Sequence, residues 1–169
     1  MPYPTISPGT TITAGLLTSM LPLAVQKPSD EPRASTTTMT NDGDLLLPVE
    51  ANAVYELTAY IVYSQNLAAS STTGITIGWS APSGATLTWT SGGTSGPTQT
   101  TTQDVTAQPI SLTRQLPSNL GTNMAAMPFG TLTVSSTAGN FALQWAQVAS
   151  NGTATIVKAG SWLHLRRTS

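Results

Sequence analysis

The chain has 169 residues, with 6 lysines and arginines against 7 aspartates and glutamates and a formal net charge of −1. That length suits one domain with a short appendage, and a hydrophobic share of 39% fits neither a disordered nor a membrane-spanning chain. Charged residues make up 8%, where ordinary soluble domains carry about 25%, and the scattered cations leave no electrostatic footprint for nucleic acid.

Cysteine is absent, which removes disulfides, thiolate catalysis and Cys-ligated zinc. No apolar run approaches the roughly 18 residues of a membrane span. The start, Met1-Pro-Tyr-Pro-Thr5, lacks the basic opening and apolar stretch of a signal peptide, so export by that route is not expected. Leu57 to Gln103 and Gln115 to Val157 contain no charged side chain at all. A monomer ordinarily surrounds itself with Lys and Glu for solubility and to discourage edge pairing. Their omission points to a chain that is either secreted or embedded in an assembly that covers much of its surface, and the assembly is the expectation.

Six of the 12 prolines fall within the first 32 residues, so Met1 to Arg33 reads as an extended arm outside a domain of residues 34–169. Pro2, Pro4 and Pro8 hold its beginning extended. Within it, Thr13 to Pro22 has the pattern of two helical turns. Thr13 is the cap, Leu16, Leu17, Met20 and Leu21 the apolar stripe, and Pro22 the stop. Such a helix needs a surface to dock on, either its own domain or a neighbouring subunit.

From Ala34 the pattern turns to strands. A β-branched run to Thr40 is closed by a turn at Asn41-Asp-Gly-Asp44, and Leu45 to Val49 follows. In Ala53 to Ser64, Tyr55, Leu57, Ala59, Ile61 and Tyr63 share one face and Val54, Tyr60 and Val62 the other, which predicts a strand buried on both sides. Ile75 to Trp79 and Ala85 to Thr90 alternate apolar with Thr or Gly. Ser91 to Thr102 reads as an exposed loop. Val105 to Leu112 and Phe129 to Val134 are weaker strands, Phe141 to Ala146 alternates, Asn151-Gly152 marks a hairpin turn into Thr153 to Val157, and Ser161 to Arg166 closes the set. Short strands at this spacing predict an all-β fold, a single antiparallel β-sandwich of jelly-roll type.

The inventory for catalysis is thin. His164 is the sole histidine and lies in a terminal strand without a G-x-S-x-G nucleophile elsewhere. No pairing of carboxylates across a cleft is legible among Asp30, Glu31, Asp42, Asp44, Glu50, Glu56 and Asp104. Asn41 to Asp44 lacks the spacing and closing Glu of a calcium loop, and turn chemistry accounts for it. No catalytic residue, cofactor or metal is expected, and the chain reads as no enzyme. Trp79, Trp89, Trp145 and Trp162 lie within strand patterns, where core packing is the commoner fate; a sugar-stacking platform, hence a carbohydrate-binding module, is the rival reading.

Lys27-Pro-Ser-Asp-Glu-Pro-Arg33, the Ser/Thr run after it, and Asn41-Asp-Gly-Asp-Leu-Leu-Leu-Pro-Val-Glu-Ala-Asn-Ala-Val-Tyr55 resemble small virion proteins of tailed phages, especially those of actinobacteria. Thr137 to Gln147 and Asn151 to Leu163 are similar too, as is Thr13-Ala-Gly-Leu-Leu-Thr18, although Thr18 stands where those proteins usually have Asn. The resemblance implies a particle component, often a homotrimer, on the exterior of a virion. Its partners would be copies of itself, major capsid or tail proteins and a host-surface glycan, with no nucleic acid and no membrane insertion. A capsid decoration protein that clamps the shell through its arm is the first expectation, and a minor tail or fibre protein the second.

Overall fold

A computed structural model describes residues 6–14, 21–93 and 106–169. Its strands are β1 (Leu23–Gln26), β2 (Glu31–Arg33), β3 (Thr40–Val49), β4 (Val54–Gln65), β5 (Ile75–Ser80) and β6 (Thr86–Thr90). The short β7 (Gln108–Pro109), β8 (Arg114–Leu116) and β9 (Met124–Ala126) follow, then β10 (Phe129–Thr133), β11 (Gly139–Gln147), β12 (Thr155–Val157) and β13 (Trp162–Arg167).

The pairings are antiparallel and divide the strands into two sheets. The larger runs β1-β13-β4-β10-β6-β7, and the smaller β3-β11-β5-β8. β4 is the backbone of the larger sheet. Its first part pairs with β13 and β10, and its last residues pair with β12 and β9, while β2 lies outside β12. From β3 to β6 the chain changes sheet at every strand, a jelly-roll-like habit of an all-β sandwich.

The alternating residues explain why the two sheets face each other. Tyr55, Leu57, Ala59, Ile61 and Tyr63 of β4 point inward together with Leu163 and Leu165 of β13. Ile75, Ile77, Phe141 and Trp145 answer them from the smaller sheet. Between the layers, Trp79 stacks on Phe141 at 4.9 Å and meets Trp89 edge-on at 5.9 Å, a geometry that adds about 0.5–1.5 kcal/mol per pair beyond burial. The Tyr63 hydroxyl donates to the Pro117 carbonyl at 2.9 Å, and burial pushes its pKa above the ordinary tyrosine value. On the outer face of β6 and β10, Thr86, Thr88, Thr131 and Thr133 are exposed, so the threonine alternation is the solvent face of a half-buried sheet.

Several expectations need correcting. The domain does not begin at residue 34: β1 and β2, both within the expected arm, pair with β13 and β12. Ala34 to Thr40 forms no strand until its last residue, and Ser35 takes a left-handed φ of 56°. The turn at Asn41 to Asp44 does not end a strand. It is a bulge inside β3, where pairing with β11 slips between Leu46 opposite Ala142 and Asn41 opposite Gln144. Asn151-Gly152 is not a hairpin tip, because β11 and β12 belong to different sheets; Thr153 N–H instead donates to the Asn151 side chain at 2.8 Å. Ser91 to Gly93, expected within an exposed loop, are buried. Of Val105 to Leu112, only Gln108–Pro109 is strand among the described residues. β4 is buried on both sides only at its end, since Glu56 and Thr58 are exposed.

Two glycines are required by close approach. A Cβ on Gly74, whose φ is +116°, would overlap the Leu116 carbonyl, and one on Gly130 would overlap the Thr88 carbonyl and come within 2.9 Å of Trp89. Gly130 lies between β4 and β6 in the middle of the sheet, where neither neighbour can yield without moving Trp89. Gly130→Ala should therefore cost on the order of 1–3 kcal/mol of unfolding free energy, read by denaturant titration. Thr131→Ala, one residue on and exposed, should cost under about 0.5 kcal/mol by the same measure.

Candidate functional site

The densest chemistry in the molecule is a charge cluster at the root of the N-terminal segment. Lys27 directly follows β1 and is 1% exposed. Its ammonium donates to Glu31 at 2.6 Å, Asp42 at 2.9 Å and Asp44 at 2.9 Å. Asp42 is equally buried because the β3 bulge turns it inward. There one oxygen accepts from the Asp44 and Leu45 N–H groups at 3.0 Å, and the other accepts from the Trp145 indole N–H at 3.0 Å. Arg33 closes the cluster from outside. It donates to Glu31 at 2.6 and 3.0 Å and to the carbonyls of Thr40, Asn41 and Trp145, with its guanidinium 3.9 Å from the Trp145 ring centroid.

Burial by itself would depress the Lys27 pKa, but its hydrogen bonds to the Glu31, Asp42 and Asp44 carboxylates outweigh this and hold the ammonium above its ordinary 10.5. Burial would likewise raise Asp42, yet the Lys27 hydrogen bond and two backbone N–H groups bring it below its ordinary 3.8. Carboxylate oxygens of Glu31, Asp42 and Asp44 lie within 4.8 Å of one another, a spacing that suits a cation. The cation among them is the Lys27 ammonium, hydrogen-bonded to all three. The expected turn chemistry of Asp42 is present, but it serves to seat this lysine.

The second feature is the outer face of the larger sheet. Tyr60, Trp162 and His164 stand there half-buried, with Trp162 stacked on His164 at 4.5 Å and tilted against Tyr60 at 6.2 Å. Phe129, 52% exposed, lies on the same face opposite Thr58. At the sheet edge a depression of 330 Å³ is lined by Ala24, Val25, Gln26, Trp162 and His164. Elsewhere charges are cancelled in pairs: Asp30 with Lys158 at 2.7 Å, Glu56 with Arg166 at 2.6 Å and Glu50 with Arg167 at 2.6 Å. Lys158 and the Ala159 N–H hold the Asp30 carboxyl below its usual value. Each of the six described carboxylates is thus engaged by a lysine or arginine; Asp104 lies outside the described residues.

The residues expected to form an assembly arm are only partly described. Pro2, Pro4, Leu16, Leu17 and Met20 lie outside the described residues, as does most of the helix expected over Thr13 to Pro22. Pro8 sits in an exposed turn in which Thr10 N–H donates to Ser7 O at 3.0 Å, and Leu21 is 67% exposed. Trp79, Trp89 and Trp145 are core residues, and Trp162 is half-buried with one ring face against His164. Period-two alternation does not reveal the Lys27 cluster. The signal for it was concentration: Lys27, Asp30, Glu31, Arg33, Asp42 and Asp44 place six of the 13 charged residues in 18 positions.

No protein-family model matches this chain, and no curated protein does. Among solved structures, one described as the structure of infectious bursal disease virus Gt strain aligns with 99% of this chain at 9% identity and a TM-score of 0.22. This chain spans 45% of the length of that one, and a likeness at that score carries no argument about function.

Removing one member of a buried ion pair strands the others, so Lys27→Met should cost about 3–5 kcal/mol of stability by denaturant titration, more than Lys158→Met at the half-exposed pair. The cluster also sets the pH range. Asp42, lowered on folding, contributes stability above 3.8 that is lost as pH falls through its folded value. Lys27, raised on folding, contributes stability below 10.5 that is lost as pH rises through its folded value. The melting temperature should fall as pH drops through the folded value of Asp42 and again as it rises through that of Lys27, and Asp42→Asn should flatten the acid limb.

Proposed function

We propose that this chain is a non-enzymatic structural subunit on the exterior of a phage particle, a capsid decoration protein that clamps the shell through residues 1–22. The observation that carries the reading is the contrast at Lys27. Upstream of it, residues 6–14 are exposed, and downstream the segment is locked into the sandwich by a buried ammonium. A tether that transmits load needs such an anchored root. The sequence resemblance supplies the kind of particle.

Charge supports a structural role as well. With each described carboxylate engaged by a cation, none stands ready as a general base or as one of a glycosidase pair. The outer sheet face offers threonine hydroxyls, aromatic edges and neutralised pairs, a surface suited to contact with other subunits. One face of Trp162 is taken by His164, which halves the ring surface it could offer a sugar. Copies arranged as a homotrimer, as the resemblance implies, would share this surface.

Truncation tests the clamp. The cut belongs before β1, because removing residues up to Arg33 would also delete the Lys27 cluster and two strands. A variant lacking residues 1–21 should keep its β-sheet circular dichroism and melting temperature and lose binding to phage particles in co-sedimentation. Retained binding would overturn the clamp. Immunogold microscopy on particles should place label on heads; label confined to tails would favour the minor tail reading.

A further inference from the structure

Sheet edges carry unpaired backbone donors and acceptors, and folds guard them with proline, charge, bulges or brevity. β2 has Pro32 at its centre, β3 has Asp42, Asp44, Pro48 and the bulge, β7 is two residues with Pro109, and β8 is three residues with Arg114. β1, four residues long, has no proline, charge or bulge within Leu23-Ala-Val-Gln26, although it ends the larger sheet. Lys27 N–H donates to Ser161 O at 2.8 Å and Lys27 O accepts from Gly160 N–H at 2.9 Å. Odd-numbered residues of this strand therefore face β13, and alternation turns the N–H and C=O of Ala24 and Gln26 to the open side. Among the described residues those groups have no backbone partner. The next positions on the open side, Pro22 and Pro28, have no N–H to offer.

We propose that β1 is a pairing edge for a second copy of this chain, joined antiparallel across a twofold axis through Val25. The occupant follows from self-complementarity. In that register Ala24 faces Gln26 of the second copy and Gln26 faces its Ala24, so both residues on each chain give and receive a backbone hydrogen bond. Pro22 meets Pro28 of the second copy at each end, and no donor is left over. Sliding the register by one position of the axis sets Pro22 or Pro28 opposite an open-side residue and loses bonds.

Side chains agree on both faces. On the outer face, Gln26 of the second copy stands beside the small Ala24 and extends into the 330 Å³ depression against His164 and Trp162. On the inner face, Val25 meets its own symmetry mate and covers the half-exposed apolar edge formed by Leu23 and Val25, which already pack on the core. The interface depends on β1 alone and is independent of where the protein resides.

The absence of cysteine makes a direct test clean. Val25 would form a non-hydrogen-bonded pair with its mate, the close pairing suited to a disulfide. Under mild oxidation the full chain carrying Val25→Cys should therefore form a covalent dimer about 10-fold faster than one carrying Thr86→Cys, an exposed control on the outer face. Equal rates, or no dimer, would overturn the proposal. A second arm avoids any effect on packing: Ala24→Lys with Gln26→Lys, both at exposed positions, sets four cations around the axis. Native mass spectrometry should show even-numbered species for the unaltered chain, a hexamer where the twofold edge joins two trimers, and their loss in this variant at unchanged melting temperature. A monomer at every concentration, or an odd-numbered assembly indifferent to the two lysines, would sink the twofold edge.

Discussion

A single ammonium group, that of Lys27, sits among three carboxylates where almost no water reaches it. Taking a cation out of water costs several kcal/mol, and the attraction repays this only when every partner is in place. Much of the surrounding architecture serves that condition. The bulge in β3 turns Asp42 inward, backbone N–H groups and the Trp145 indole fix its oxygens, and Arg33 holds Glu31 from outside while lying over the same indole. Lys27 directly follows β1, so the cluster ties the N-terminal strand to β3 in the opposite sheet.

That tie gives the sandwich a directional character. The core is ordinary in kind, two layers of aliphatic side chains with Trp79, Trp89 and Phe141 joining them. The N-terminal corner is different: it is polar, fully hydrogen-bonded and intolerant of partial loss. Hydrophobic packing resists by area, whereas a buried ion cluster resists by geometry. A pull on a segment upstream of this corner would act first on the β1–β13 pairing and then on the cluster behind it, and this links the cluster to the proposed clamp. The same corner leaves β1 at an open sheet edge, its odd residues turned to β13 and its even residues outward.

The outer surface completes the picture. In the described part of the larger sheet, threonine rows and half-buried rings replace the usual lysines and glutamates, and the exposed carboxylates are matched with arginine or lysine neighbours. Little long-range field remains to steer a charged ligand. Recognition on such a surface rests on shape, ring edges and backbone edges at short range.

The sequence by itself determined the fold class and most long strands. Period-two alternation in β4, β5, β6 and β11 is a local property set by which side chains can be buried together, so Leu57, Trp89 and Trp145 could be assigned to the core from pattern alone. It could not find β1, β2, β8 or β9, each four residues or fewer, because strands this short are held by neighbours rather than by periodicity. It also read Asn41 to Asp44 as a turn: the local chemistry was right, but whether such a turn ends a strand or bulges within one depends on the partner strand β11. Only the tertiary structure brought Lys27 to Asp42 across 15 positions and set Arg33 over Trp145 across 112. A charge's meaning depends on its dielectric surroundings and its partners, and both are fixed by the packing of distant segments.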